Sequence, residues 1–248
     1  MLRWILSAVL SASLALSPAL GGTTMLLGAG TGAPVAGGGG GGSVSWTPTD
    51  SRAQFDSQFA GFQSLFDTVA IGTAAANRVV VISVFADAVG GAVAGVSVGS
   101  TNLTKDVEDN TGLNGLPWIS IWSGVVATGT SATVTVTKTS TWPNDVGIFA
   151  GALITNTAAH SATAIFTEAV TTTPSVSIAI PSGGIALTLL TTDRTVTGSW
   201  SNSTQDYHIV DARSFDELLA HSTATGTVVP TWTGTNSNYG MISTAWGP

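Results

Sequence analysis

Much of the chain consists of short runs in which valine or another apolar residue alternates with threonine, serine or alanine. Ser131-Ala-Thr-Val-Thr-Val-Thr137 is the clearest example. A period of two places successive side chains on opposite faces of a β-strand, so such runs are typical of strands with one buried face. Charged residues make up only 8% of the chain, against roughly a quarter in an average soluble domain. The sequence therefore predicts an all-β protein whose solubility comes from hydroxyl groups and turns.

Short apolar runs separated by glycine, proline, asparagine and aspartate continue through most of the chain, and a long amphipathic helix is not predicted. This spacing favours an antiparallel β-sandwich, with a jelly roll among the arrangements it allows. The predicted strands are residues 78–86, 92–98, 118–126, 132–139, 147–155, 162–167, 175–181, 184–192, 197–201, 214–222, 227–233 and 240–246.

Three segments depart from the strand pattern. Within residues 52–66, phenylalanines recur every three or four positions, which predicts a short helix that closes one end of the sandwich. Residues 211–221 contain Ser214 and Glu217 at the spacing of a helix capping box, but the threonine-rich strands around them favour a strand. Residues 105–110 are rich in acidic side chains and are predicted to form a solvated loop.

The N-terminal region divides into two segments. Residues 1–24 form a hydrophobic leader with a basic start at Arg3 and an apolar run of 13 residues over 4–16, which is short for a membrane span. The leader has the plan of a secretory signal, but a retained anchor or a true start at Met25 are alternatives. Residues 25–43 include six consecutive glycines and predict a flexible tether. The β-sandwich domain is then expected over residues 44–248.

Charge and cysteine content exclude several classes of function. The formal net charge is −7 and no basic patch is present, so nucleic acid is not an expected partner. The chain has no cysteine, which rules out disulfides and thiolate metal sites. No cofactor is predicted. This composition is typical of an extracellular or virion β-protein rather than a cytosolic metabolic enzyme.

No arrangement of residues predicts catalysis. Gly95-Val-Ser-Val-Gly99 has the letters of a nucleophile elbow but lies in an alternating strand. Asp206 and His208 fall on the same side of a regular strand, with Tyr207 between them, yet a surface cluster explains them better than a metal site. The acidic segment 105–110 lacks the spacing of a twelve-residue calcium loop. We therefore predict no catalytic, cofactor-binding or metal-binding residues, and the protein is not expected to be an enzyme.

Tryptophan is enriched among the residues that dominate binding surfaces, and the chain has eight. Most lie in predicted strands, where a place in the core is the better interpretation. Trp142 precedes Pro143-Asn144, a turn signal, and is the best candidate for an exposed ring. Trp142, Tyr207 and His208 are the candidate surface-binding residues.

The order of several strand motifs resembles a β-sandwich module that recurs in tailed-phage and prophage structural proteins. The resemblance covers about residues 44–248 and rests on strand patterns. The motifs are Arg78-Val-Val-Val-Ile-Ser-Val, Val96-Ser-Val-Gly-Ser-Thr-Asn-Leu-Thr104, Ile119-Ser-Ile-Trp122, Gly129-Thr-Ser-Ala-Thr-Val-Thr-Val-Thr137 and Ile242-Ser-Thr-Ala-Trp-Gly-Pro248.

The resemblance implies a virion component of the fibre, spike or decoration type and brings no catalytic residues. We expect its N-terminal segment to hold it in the particle. The expected partners are other virion proteins, further copies of the chain in a homo-oligomer, and a glycan or protein of the host surface. The alternative is a secreted or surface-attached bacterial adhesin or carbohydrate-binding module. A hydrolase with acidic residues converging around 206–217 is the third hypothesis.

Overall fold

The computed structural model describes residues 43–54, 63–86, 92–109, 116–139, 146–156, 159–210 and 215–248. Within these residues the protein contains only β-strands, turns and irregular segments, and the strand pairings are antiparallel. The predicted all-β class is confirmed. The described residues include no helix long and apolar enough to cross a membrane.

The strands form two halves that follow one another along the chain. The first half contains β1 (Ser45–Gln54), β2 (Gln63–Ala70), β3 (Arg78–Ala86), β4 (Val93–Val98), β5 (Thr101–Asn102), β6 (Thr104–Asp109), β7 (Trp118–Val125), β8 (Ser131–Lys138) and β9 (Val146–Ile154). The second half contains β10 (Ala162–Thr171), β11 (Ile178–Ile180), β12 (Ile185–Thr192), β13 (Gly198–Ser201), β14 (Thr204–Val210), β15 (Asp216–Ser222), β16 (Gly226–Val228), β17 (Thr231–Gly234) and β18 (Ser237–Trp246).

The two halves have the same strand order. Each contains a five-stranded inner sheet, ordered β1-β9-β3-β7-β6 in the first half and β10-β18-β12-β15-β14 in the second. These orders correspond position by position when β1 is matched with β10 and β9 with β18. The first half adds an outer sheet, β2-β8-β4-β5, and the second half adds two outer ribbons, β11-β16 and β13-β17. The ribbons correspond to the outer sheet if the long strand β8 is matched with β16 and β17 together.

The sheets stack in layers, with a hydrophobic core in each space between them. One core lies between the outer sheet and the inner sheet of the first half and includes Ile82 and Val136. A second core lies between the two inner sheets and includes Val81, Phe149 and Leu187. Two smaller cores separate the second inner sheet from its ribbons. The packed sheets are consistent with the predicted sandwich, and the jelly roll stays a prediction.

The layering explains which strands alternate in sequence and which do not. β3 and β12 are buried along their whole length because both faces of each inner sheet are covered, and they are correspondingly rich in valine, isoleucine and leucine. β8 lies in an outer sheet, and its burial alternates toward its C-terminal end. Uniform and alternating runs thus mark inner and outer layers.

Two local predictions were wrong. The helix predicted over residues 52–66 is absent at both ends, because β1 continues to Gln54 and β2 begins at Gln63; residues 55–62 lie outside the described part. Phe66 belongs to β2 and packs into the first core. The acidic segment predicted as a solvated loop forms β6, in which Asp109 is buried. The strand predicted within 211–221 is confirmed by β15.

Candidate functional site

The most distinctive polar groups lie where the two inner sheets meet, at matching irregularities of two edge strands. β6 pairs with β7 and has a bulge between Lys105 and Val107, so Asp106 is the extra residue. β14 pairs with β15 and has a bulge between Gln205 and Tyr207, so Asp206 is the extra residue. A bulge turns its extra residue away from the regular alternation of the strand. Each half therefore directs one aspartate out of its ladder at the same position.

Asp106 is held by both halves. Its side chain is only 3% exposed, and Nδ1 of His160, in the segment before β10, donates to Oδ1 at 3.0 Å. Ser123 of the neighbouring strand β7 is a second hydrogen-bond partner. Burial raises the pKa of the Asp106 carboxyl above its ordinary value, although the hydrogen bond from Ser123 and the charge and hydrogen bond of His160 oppose the shift.

Asp206 has the equivalent partners. Nδ1 of His221 donates to its Oδ1 at 2.9 Å, and Nε1 of Trp46 in β1 donates to Oδ2 at 3.0 Å. His221 lies opposite Thr204 in the ladder, as Ser123 lies opposite Thr104. Each bulge aspartate is thus bonded to the neighbouring strand of its own sheet and to the first-strand region of the other half.

These contacts follow the pseudo-two-fold arrangement of the halves. β6 lies against β10 and β1 lies against β14, so each bulged edge strand faces the first strand of the other half. The two hydrogen bonds to His160 and Trp46 consequently join the halves on opposite sides of their shared core. Buried carboxylates with partners on both halves favour one register of the packed sheets, because a shift would leave a desolvated charge without those partners.

Tyr207, one of the predicted surface-binding residues, contributes to the same interface. Its ring stacks on Phe149 of β9 with the centroids 5.3 Å apart and the planes 3° apart. Its hydroxyl donates to the carbonyl of Ala150 at 3.2 Å. Burial raises the pKa of Tyr207, and the negative charges of Asp206 and Asp50 add to the shift. The structure therefore uses this ring mainly for packing between the halves.

His208, a second predicted residue, lies beside a different carboxylate. Its Nε2 is 3.1 Å from Oδ2 of Asp216, which is fully buried and also accepts a hydrogen bond from the backbone N–H of Val196 at 2.7 Å. The bulge at Asp206 breaks the regular alternation, so Asp206 binds His221 and Trp46 instead of His208. Trp142, the third predicted residue, lies outside the described part of the chain.

The role of the bulge aspartates in joining the halves was missed at the sequence level, although a short signal was present. Asn102-Leu-Thr-Lys-Asp106 and Asn202-Ser-Thr-Gln-Asp206 share the pattern Asn-x-Thr-x-Asp. Each copy ends at the bulged residue of its strand. A five-residue repeat is weak evidence alone, and it gains meaning only from the matching strand order of the halves.

The acidic and histidine side chains are distributed rather than gathered. Among the described residues no group of three or more histidine, aspartate or glutamate side chains is placed to hold a metal ion. In the acidic segment, Glu108 forms an ion pair with Lys105 at 2.7 Å while Asp106 points to His160. Asp106 and Asp206 therefore connect the two inner sheets rather than form part of a metal site.

Among the described residues, most of the tryptophans lie in the cores or pack against them, as expected. Trp122, Trp232 and Trp246 are buried. Trp200 is partly buried and meets Trp232 edge to face, with ring centroids 5.6 Å apart. Trp46 lies across β9 at Gly151, where a side chain would collide with its ring. The surface of these tryptophan rings is therefore largely buried between the layers.

No family model, curated protein or solved structure matches the chain. The resemblance to phage structural modules accordingly stays a prediction from the sequence motifs.

Proposed function

We propose that the protein is a non-enzymatic structural component of a virion, of the fibre, spike or decoration type, that displays its layered β-body for assembly or for contact with a host surface. The observation that carries the proposal is the pair of bulge aspartates, Asp106 and Asp206, which join two halves of identical strand order. The ionisable side chains at this interface hold the two halves of the domain together rigidly.

The surface chemistry supports the same function. Only 8% of the residues are charged and lysine occurs twice, so few charged side chains would lose their hydration when other proteins pack against this surface. The strands offer many paired backbone groups and few flexible charged side chains, which limits the entropy lost on assembly. Other virion proteins, further copies of the chain and a host glycan or protein are the proposed partners.

The sequence before residue 44 completes the proposal. A hydrophobic leader over 1–24 would attach the protein to the particle, and the glycine tether over 25–43 would separate the attachment point from the displayed domain. The proposed location is therefore the virion.

Intact-mass measurement on purified particles tests the proposal. We expect the full chain, or a chain starting at Met25, to copurify with particles through a density gradient and to be lost from particles of a strain in which the gene is deleted. A mature chain lacking about the first 20 residues, found in particle-free supernatant, would contradict the proposal and support a secreted adhesin or carbohydrate-binding module.

A further inference from the structure

The two halves differ most clearly at the free edge of their first strands. β1 and β10 occupy equivalent edge positions in the two inner sheets, each paired on one side only, with β9 and β18 respectively. An edge strand presents unpaired backbone N–H and C=O groups, which natural proteins normally cover or interrupt. We can therefore compare how far a neighbouring segment covers this edge in each half.

In the first half, β2 covers the edge of β1. Oγ1 of Thr49 donates to the carbonyl of Ala70 at 2.7 Å, and the N–H of Ala70 donates to Oδ2 of Asp50 at 2.9 Å. The guanidinium of Arg52 donates to two further carbonyls of β2, those of Asp67 and Thr68. Polar side chains of β1 thus satisfy the backbone of β2 along most of its length.

In the second half, the corresponding cover is too short. β11 takes the place of β2 but has three residues, Ile178–Ile180, where β2 has eight. β10, with ten residues, extends well beyond it. Among the described residues no strand pairs with the outer edge of β10, and no hydrogen bond like those of Thr49 or Arg52 joins it to β11.

The open edge also carries exposed apolar side chains. Ile165 is 51% exposed and Val170 is 64% exposed, and both belong to β10. Two of the six large hydrophobic side chains that are exposed among the described residues therefore lie on this one strand. A long edge strand that carries exposed apolar side chains and has no paired neighbour on its outer side is a template for pairing with another strand.

We propose that β10 is a self-association edge, along which a second copy of the chain adds its own β10 in antiparallel pairing about a two-fold axis. A second copy satisfies both open edges at once, as a self-complementary interface requires. Charge favours this occupant: the chain carries 14 acidic residues and a net charge of −7, but Ala162–Thr171 contains a single charged residue, Glu168. Two copies of an acidic protein meet with least repulsion along such a strand.

The bulge of β10 limits the length of the pairing. The register shifts between Phe166 and Ala169, so the regular segment open to a partner is Ala162 to Phe166. If this segment pairs about its centre at Ala164, Thr163 of one copy lies opposite Ile165 of the other. Both side chains are exposed in the single chain, and a threonine–isoleucine pair suits adjacent strands.

Self-association through β10 is independent of whether the protein is part of a virion.

Sedimentation of the full chain tests the proposal, at concentrations from about 1 to 100 µM, the range in which modest interfaces assemble. We expect a concentration-dependent dimer. Ile165→Lys should weaken it by about tenfold or more, because a lysine on an edge strand opposes pairing. Val229→Lys is the matched control, since Val229 is 39% exposed in the segment between β16 and β17, and it should dimerise like the unmodified chain. Circular dichroism and thermal melting verify that both variants fold.

Hydrogen exchange supplies a second readout that does not depend on variants. The amides of β10 that face away from β18 should exchange more slowly as the protein concentration rises. A chain that stays monomeric throughout the concentration range would overturn the proposal, whether its β10 amides are open or are protected by another part of the same chain. Equal weakening by Ile165→Lys and Val229→Lys would overturn it as well.

Discussion

At the residue scale, the bulge aspartates make the sharpest energetic prediction. Replacing Asp206 by Ala leaves both Nε1 of Trp46 and Nδ1 of His221 without their acceptor. Leaving a buried donor without an acceptor costs about 1–3 kcal/mol. Because these two donors are partly buried, Asp206→Ala should lower the free energy of unfolding by about 1–3 kcal/mol in chemical denaturation. Asp67→Ala is the control, because the hydrogen bond that Asp67 accepts from Thr133 is exposed, and it should change stability by less than about 0.5 kcal/mol.

A double-mutant cycle isolates the contact between the halves. Trp46→Phe removes the indole N–H that Asp206 accepts while keeping an aromatic ring over β9. The cycle with Asp206→Ala should give a coupling free energy of about 0.5–3 kcal/mol, as expected for residues in direct contact. Additive effects would show that the hydrogen bond between Trp46 and Asp206 does not hold the halves together.

Lys138 is a buried lysine whose environment can be tested chemically. Its side chain is buried on the same face of β8 as Val134 and Val136, and its Nζ has no hydrogen-bond partner among the described residues. Burial lowers its pKa below the ordinary value of 10.5. An amine-reactive reagent should therefore modify Lys105, which is partly exposed, in the folded protein and modify Lys138 only after unfolding. Equal labelling of both lysines in the folded state would show that Lys138 is accessible.

The same burial has a stability consequence with a definite sign. The folded chain binds a proton at Lys138 less tightly than the unfolded chain, so stability rises as the pH increases through the lowered pKa toward 10.5. Lys138→Met keeps the length of the side chain and removes the charge. It should stabilise the protein by about 1–3 kcal/mol at neutral pH and abolish this part of the pH dependence, measured by denaturation at several pH values.

The lowered pKa of Asp193 predicts that the folded protein loses stability in acid. Burial alone would raise its pKa, but hydrogen bonds from Ser237 and Asn238 and the charge of Arg194 outweigh burial and lower it below 3.8. The stability it contributes is present above 3.8 and is lost as the pH falls through the lowered pKa. Asp193→Asn should destabilise the protein at pH 7, and the difference from the unmodified chain should shrink as the pH falls below 3.8. A constant difference would contradict this.

At the element scale, Gly151 in β9 leaves room for the ring of Trp46, from the neighbouring strand β1, to lie across β9. A Cβ atom at Gly151 would stand 2.1 Å from the ring of Trp46, a separation that real contacts never show. Gly151→Ala should therefore destabilise the protein by about 1–3 kcal/mol by displacing the ring. Gly95→Ala in β4 is the matched control, because nothing lies within 4 Å of the added atom. Thermal melting distinguishes the two, and equal effects would mean that Trp46 does not rest on Gly151.

The elements also show which parts of the fold are readable from sequence. The strand predicted over 78–86 coincides with β3, because a continuous apolar run bounded by polar residues has few other interpretations. β6 was missed because its pattern is interrupted: the bulge places Asp106 against another half of the chain. The predicted helix is wrong at both described ends, which are strands, and Phe66 faces a core supplied by distant strands. The structures of β6 and of the segment around Phe66 thus depend on contacts with residues far away in the sequence.

The contacts of the bulge aspartates could not be predicted from the sequence for a related reason. Asp206 and His208 have the spacing of a same-face pair, but the extra residue in β14 changes which side chains meet. The partners that Asp206 takes, Trp46 and His221, are separated from it by 160 and 15 residues. Residue type and spacing along one strand do not specify contacts of this range.

At the scale of the whole molecule, the two halves should behave as one cooperative unit. Their inner sheets share a core that includes Phe149, Leu153, Leu187 and Ile242. Opening the halves would expose this core and break the hydrogen bonds of both bulge aspartates, so neither half is expected to remain folded while the other unfolds. Repeated strand order within one chain thus gives a single structural body.

Calorimetry tests this cooperativity. The unmodified chain should show one transition, with a calorimetric enthalpy equal to the van't Hoff enthalpy. Gly151→Ala lies in the first half and Asp193→Asn in the second, yet each should lower the temperature of that one transition without splitting it. Two transitions, each shifted only by the variant in its own half, would show instead that the halves are independent domains. The shared core and the two aspartate contacts would then contribute too little free energy to couple them.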